Sequence, residues 1–184
     1  GRTIFWADRR TEFFGTIRSR GGRLFGDGGF AEVSGKEELY FAGSVDTTAA
    51  NGKSGTLLLD PDYITISGGS GTASASGASS FTTYENILES VASTTNIDML
   101  ATSSITLGNS LNFSQTSGQS VTFTATNGDI TFSDTSDTIE TAGGSIVMSA
   151  GGTLSVGAMD TNGGDITLAG ADFTLSGSLD AGTG

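Results

Sequence analysis

The sequence predicts an all-β protein, a parallel β-helix (β-solenoid) of about 6–7 coils with one short side or capping helix near 82–92, and three observations predict it. First, one pattern is written twice between Gly143 and Gly184. Ile146 and Met148 are answered by Ile166 and Leu168, Leu154 and Val156 by Phe173 and Leu175, Met159 by Leu179 and Asp160 by Asp180, at offsets of 19 or 20 residues. Second, the apolar residues within each copy come as alternating pairs separated by Gly, Asn, Asp, Ser or Thr, the period of a strand with one buried face. Third, a corner form (apolar, any residue, Gly, Ser or Thr, aliphatic) recurs in Phe13–Ile17, Phe41–Val45 and Leu175–Leu179. Glycine suits such a corner because it admits positive φ or close backbone approach. A unit of two or three short strands cannot bury an apolar face alone, so it must stack on its neighbours.

Taken in order, residues 1–66 form the N-terminal coils. Ile4 with Trp6, Ala31 with Val33 and Leu57 with Leu59 read as inward pairs at steps of 27 and 26, and Ile64 with Ile66 closes the section. The clusters Gly21-Gly22 and Gly26-Asp27-Gly28-Gly29 read as turns. Residues 67–95 are an excursion: 67–80 are almost wholly Gly, Ser, Ala and Thr, the composition of a flexible linker. The helix follows, with Thr82 and Glu85 as a capping box and Tyr84, Ile87, Leu88 and Val91 on one face. It would shield a strand edge, lying on the side or over an end of the solenoid. Residues 96–184 are the C-terminal coils of the same continuous domain. Their first strands hold Ile97/Met99, Val121/Phe123, Ile146/Met148 and Ile166/Leu168, and their second strands Ile105/Leu107, Ile130/Phe132, Leu154/Val156 and Phe173/Leu175. Leu111, Ile139, Met159 and Leu179 occupy third positions.

Several stretches resemble, in order, a segment of filamentous-haemagglutinin-like exoproteins, the large secreted adhesins of two-partner secretion: Trp6-Ala7-Asp8, residues 11–17, residues 29–35, Val45-Asp46-Thr47 and residues 55–61. The likeness spans essentially the whole chain and is most specific over 29–61; Arg9-Arg10 departs from the small or glycine-containing turn expected there. The resemblance implies a right-handed helix, a large parent protein, passage through an outer-membrane secretion pore, an extracellular or bacterial cell-surface location and a role in adhesion.

Charge is unevenly placed. All eight basic residues lie in the first 53 positions against seven acids, whereas residues 54–184 hold thirteen acids and no base. Nucleic acid and anionic lipid are therefore not expected partners. The acidic part reads as a solvated surface, or as the complement of the neutral-to-basic start in a head-to-tail contact. Cysteine and histidine are absent, which removes thiolate metal sites and the commonest general base. No run approaches the roughly 18 apolar residues of a membrane span, so no membrane insertion is expected, and Gly1-Arg2-Thr3-Ile4 does not read as a signal peptide.

No residue is assigned a catalytic, cofactor-binding or metal-ligating role, and no cofactor is expected. Asp134, Asp137 and Glu140 offer oxygens on a turn, but without the spacing of calcium-binding nonapeptide repeats. Gly26-Asp27-Gly28-Gly29 lacks the lysine and serine of a phosphate loop. Asp8, Arg9, Arg10, Glu12 and Arg18 mix signs as a solvated sheet does, which weighs against a polysaccharide-active β-helix enzyme. Thr106, Thr122, Thr124, Thr131 and Thr167 invite comparison with ice-binding ladders, yet read as irregular across coils of differing length. The expected function is a non-catalytic, structural or adhesive segment of a filamentous adhesin. The alternative is a subunit of a fibre built by stacking solenoid ends. Expected partners are other coils of a larger parent chain or identical subunits end to end, together with cell-surface glycans or proteins.

Overall fold

Short strands with alternating apolar residues can close a core only by repetition, and they do so here on three faces. The structure is a computed structural model and describes residues 1–36, 38–69 and 80–183. On the first face seven strands pair in parallel in chain order: Arg2–Ala7, Phe30–Gly35, Thr56–Leu59, Asn96–Ala101, Ser120–Ala125, Ser145–Ala150 and Ile166–Ala169. The second face has a six-stranded sheet running from Asp172–Leu175 back through Thr153–Val156, Ile130–Phe132, Ser104–Leu107 and Tyr63–Ser67 to Ser80–Tyr84. The third has a four-stranded sheet of Leu111–Thr116, Thr138–Ala142, Ala158–Asp160 and Leu179–Asp180. Two short pairs complete the N-terminal part, Arg10–Phe13 with Glu38–Phe41 and Thr16–Arg18 with Ser44–Asp46. Among the described residues every strand pair is parallel, the stacked architecture of a β-solenoid or β-helix.

Register follows the repeat. Ile146 pairs with Ile166, Leu154 with Phe173, Met159 with Leu179 and Asp160 with Asp180. Along the first face, Thr3, Ala31, Leu57, Ile97, Val121, Ile146 and Ile166 succeed one another as a single inward column. Phe5, Val33, Leu59, Met99, Phe123, Met148 and Leu168 form its neighbour. From Ala31 to Met148 these side chains are almost wholly buried. Each such burial is worth about 1.5–3 kcal/mol relative to exposure.

The first strand corrects one expectation. Ile4 and Trp6 pair with Glu32 and Ser34 and face outward, 47% and 56% exposed; Thr3 and Phe5 stand over Ala31 and Val33, a step of 28 residues. Because Ile4-Phe5-Trp6 is continuously apolar, alternation there reads equally well in either phase. The neighbouring strand decides: Ala31 and Val33 face the core and Glu32 faces out, so Thr3 and Phe5, paired with Ala31 and Val33, face in.

The helix is also shorter than expected, Glu85–Glu89. Thr82 does not cap it. The residue at the N-cap is Tyr84, with no side-chain cap bond, and Thr82 lies within the strand Ser80–Tyr84, paired to Thr65. This strand, unforeseen from the sequence, occupies the edge of the second sheet between Tyr63–Ser67 and Glu38–Phe41. The linker expected over 67–80 lies mostly outside the described residues. The helix packs against the third-face strand Leu111–Thr116, burying Ile87, Leu88 and Val91.

Of the two roles open to the corner glycine, close approach is the one used at Gly43 and Gly177, whereas a Cβ on Gly15, in the first coil, would meet only the Phe13 ring at 3.8 Å. Gly15, Gly43 and Gly177 do not have positive φ. A Cβ on Gly43 would lie 2.5 Å from the Gly15 carbonyl oxygen and 2.3 Å from the Phe13 ring. Gly43→Ala is therefore expected to cost about 1–3 kcal/mol by overpacking, measured as a lower midpoint in urea unfolding.

Candidate functional surfaces

Outward side chains on stacked strands form columns, so chemistry in this fold depends on what register brings together. The mixed charges of the first coil are assembled around Arg10. Its Nε lies 3.1 Å from both Glu12 Oε1 and Glu38 Oε2, one terminal nitrogen donates to Tyr40 Oη at 2.9 Å, and the guanidinium sits 4.5 Å from the Tyr40 ring centre. Ala7, Arg9, Arg10 and Glu38 line an open depression of about 420 Å³. Both carboxylates there are committed to the arginine, and the exposed hydrogen-bonded set has the form of a surface clasp between two coils. Asp8 lies on the preceding bend and Arg18 on the strand Thr16–Arg18, so the five residues do not converge on one point.

The acidic turn is likewise committed. Asp134 Oδ1 accepts from Ser136 N and Oγ at 2.9 and 2.8 Å, bonds that hold its carboxyl below the usual range. Asp137 Oδ1 accepts from Ser110 Oγ at 3.1 Å, and Glu140 faces outward from its strand. Among the described residues no three acids converge as a metal site would require. In Gly26–Gly29 the Asp27 carboxylate accepts from Lys53 N at 2.8 Å, and Gly28 N donates to Lys53 O, also at 2.8 Å. That loop is stitched to its successor. Beside it Leu24 and Phe25 are 73% and 79% exposed, next to Arg23.

The threonines are more ordered than the sequence suggested. Thr82, Thr65, Thr106, Thr131, Ser155 and Thr174 pair successively along the second face as one hydroxyl ladder. The first face carries no such run: Thr122 lies between Asp98 and Val147, and Thr167 beyond Val147.

Sequence reasoning passed over two groups. Thr47, Thr95, Gln115, Thr141 and Thr161 are buried polar residues at the corner between third and first faces. Thr141 and Thr161 each donate to the carbonyl three residues on, Gly144 and Gly164, at 2.5 Å; the signal was a repeated Thr-x-Gly-Gly. The other group is a pair of half-buried acids, Asp60 and Asp98. Burial pushes the Asp60 carboxyl up, aided by Glu32 and Asp62; burial pushes Asp98 up against a downward pull from a Thr122 hydrogen bond.

A carboxyl raised in the folded state favours the native form at low pH and opposes it once ionised, so the sign at Asp98 is fixed. Asp98→Asn is expected to raise the melting temperature at about pH 7, by less than ~1 kcal/mol in stability after solvent screening, with the gain gone by about pH 3. Thermal unfolding across that range measures it.

Large apolar side chains stand exposed in the first and last described coils. At the last coil Phe173, Leu175 and Leu179, members of the inward columns, are 50%, 40% and 41% exposed. At the first, Phe5 is 45% exposed and its ring lies 5.4 Å from that of Phe13. No helix among the described residues is long and apolar enough to cross a membrane. No protein family, curated protein or solved structure matches the chain.

Proposed function

We propose that this chain is a non-catalytic segment of a secreted, cell-surface adhesive filament, in which about seven windings of a right-handed parallel β-helix form a short stiff rod. The observation that carries the reading is the unbroken register: Leu57, Ile97, Val121, Ile146 and Ile166 succeed one another winding by winding in parallel strands, as in a rod built by stacking. The chain's partners on this reading are other coils of a larger parent chain or identical subunits end to end. The likeness of residues 29–61 to filamentous-haemagglutinin-like exoproteins supports the adhesive role, export through an outer-membrane pore and the handedness. The commitment of Glu12 and Glu38 to Arg10 favours a binding surface over a polysaccharide-active site.

Recognition is then spread over surface loops, with the exposed Leu24 and Phe25, beside Arg23, as a protruding apolar element. Labelled protein should bind saturably to host or neighbour-cell surfaces, or to arrayed glycans, and Leu24→Ser with Phe25→Ser should weaken that binding. Absence of saturable binding to any of them would overturn the adhesive role.

A further inference from the structure

We infer that Asn127 and Gly128 form a self-modifying site, at which the Asn127 side-chain amide is converted to aspartate and isoaspartate by attack of the Gly128 backbone nitrogen. The site lies in the middle of the stack and does not depend on the adhesive reading.

The corner that holds it is longer than its neighbours. Four residues, 126–129, join Ser120–Ala125 to Ile130–Phe132, where two suffice at the same corner one coil before (102–103) and one coil after (151–152). The surplus bulges into solvent. Asn127 is exposed, and among the described residues its side chain makes no hydrogen bond. The Gly128 nitrogen donates to none of them either, because the bonds that tie this corner to its neighbours run through other groups: Asn127 N donates to Thr102 O at 3.0 Å, and Gly128 O accepts from Gly152 N at 2.9 Å. The electrophilic carbon and the nucleophilic nitrogen are thus both uncommitted on adjacent residues, and glycine has no side chain to hinder their approach. Two other Asn-Gly pairs serve as internal controls, Asn51-Gly52 and Asn162-Gly163. Asn162 Nδ2 donates to Thr141 O at 2.7 Å and Gly163 N to Ala181 O at 2.8 Å, so both reacting groups are held. At the first pair Asn51 Nδ2 donates to Arg23 O at 3.1 Å, which holds one of the two.

The chemistry balances with water as the only co-reactant. Gly128 N loses its proton to solvent base and bonds to Asn127 Cγ; the Cγ–Nδ2 bond breaks and ammonia leaves, giving a cyclic imide. Water then opens the ring. Cleavage at Cγ yields aspartate, whereas cleavage at the Asn127 backbone carbonyl yields isoaspartate, in which the main chain runs through Cβ and Cγ and is one carbon longer. That carbon falls between the bonds to Thr102 and Gly152, which tie this coil to both of its neighbours. The corner has little slack to absorb it, since a Cβ on Gly151 would already lie 3.2 Å from Asn127 Cα. Modification therefore loosens a joint in the middle of the rod.

The test is to age the folded 184-residue protein in mildly alkaline buffer, beside a sample unfolded in urea, and to map its peptides by mass spectrometry. Residues 54–184 hold no base for trypsin, so chymotryptic cleavage after Phe123 and Phe132 isolates Asn127. In the folded sample that peptide should gain the mass of an amide turned to an acid at least about tenfold faster than the peptide carrying Asn162, where two hydrogen bonds must open first, with Asn51 between them. In urea the three should convert at similar rates. The isoaspartate form should appear as a second peak of the same mass that an isoaspartyl methyltransferase labels. Asn127→Gln should remove both products, because the larger ring closes far more slowly. Folded protein in which Asn127 converts no faster than Asn162, or an ordering of the three sites that persists unchanged in urea, would overturn the inference.

Discussion

Phe123→Ala is expected to destabilise the protein by about 3–5 kcal/mol, the range for truncating a fully buried aromatic. Phe123 is wholly buried, pairs with Met99 on one side and Met148 on the other, and meets Phe113 from the third face edge-on with ring centres 6.3 Å apart. It thus ties two faces together in the middle of the stack. In a solenoid each coil contacts only its neighbours, so stability is close to a sum of coil and interface contributions. Removing the ring weakens two interfaces at once. The expected result in urea is a transition that divides in two, with the strands 96–101 and 145–150 losing amide protection at different concentrations. A single transition shifted by less than about 1 kcal/mol would mean that the neighbours collapse into the cavity.

How much of this was legible depended on whether a residue's environment repeats. The pairs from Ile97 to Leu179 were readable because each inward position is answered by another apolar residue one coil away, and register carried the pattern through without interruption. Ile4 and Trp6 were misread because a continuous apolar run has no phase of its own; Glu32 on the neighbouring strand supplies it. Thr82 was misread because a threonine three residues before a glutamate suits a cap and a strand equally, and the edge offered by Tyr63–Ser67 decided between them. On the surfaces, register assembled what composition had only hinted at. Threonines separated by unequal loops became one ladder, and scattered charges became the Arg10 clasp. The half-buried Asp98 could not have been found from the sequence, because its surroundings come from strands 24 and 40 residues away.

Leu88→Ala tests the one element that breaks the repeat. A helix of five residues is far too short to be stable alone, so Glu85–Glu89 is held by what it packs on. Leu88 is wholly buried, and around it the segment satisfies the free edge of Leu111–Thr116. Glu89 Oε1 accepts from Asn112 N at 2.6 Å, Gln115 Nε2 donates to Ala92 O at 3.1 Å, and Thr116 N donates to Ser93 O at 3.2 Å. Losing the Leu88 anchor should cost about 2–5 kcal/mol, and the cost should fall locally. Amides of Leu111–Thr116 should exchange early while those of Ser145–Ala150 keep their protection, and the freed strand edge should make the variant prone to self-association. Glu89→Gln separates packing from hydrogen bonding: its side-chain oxygen still accepts from Asn112 N, so the loss should stay below about 1 kcal/mol. Equal losses for the two variants would place the stabilising contact in the carboxylate, and the helix would then be a polar clamp on that edge, with Leu88 a passenger.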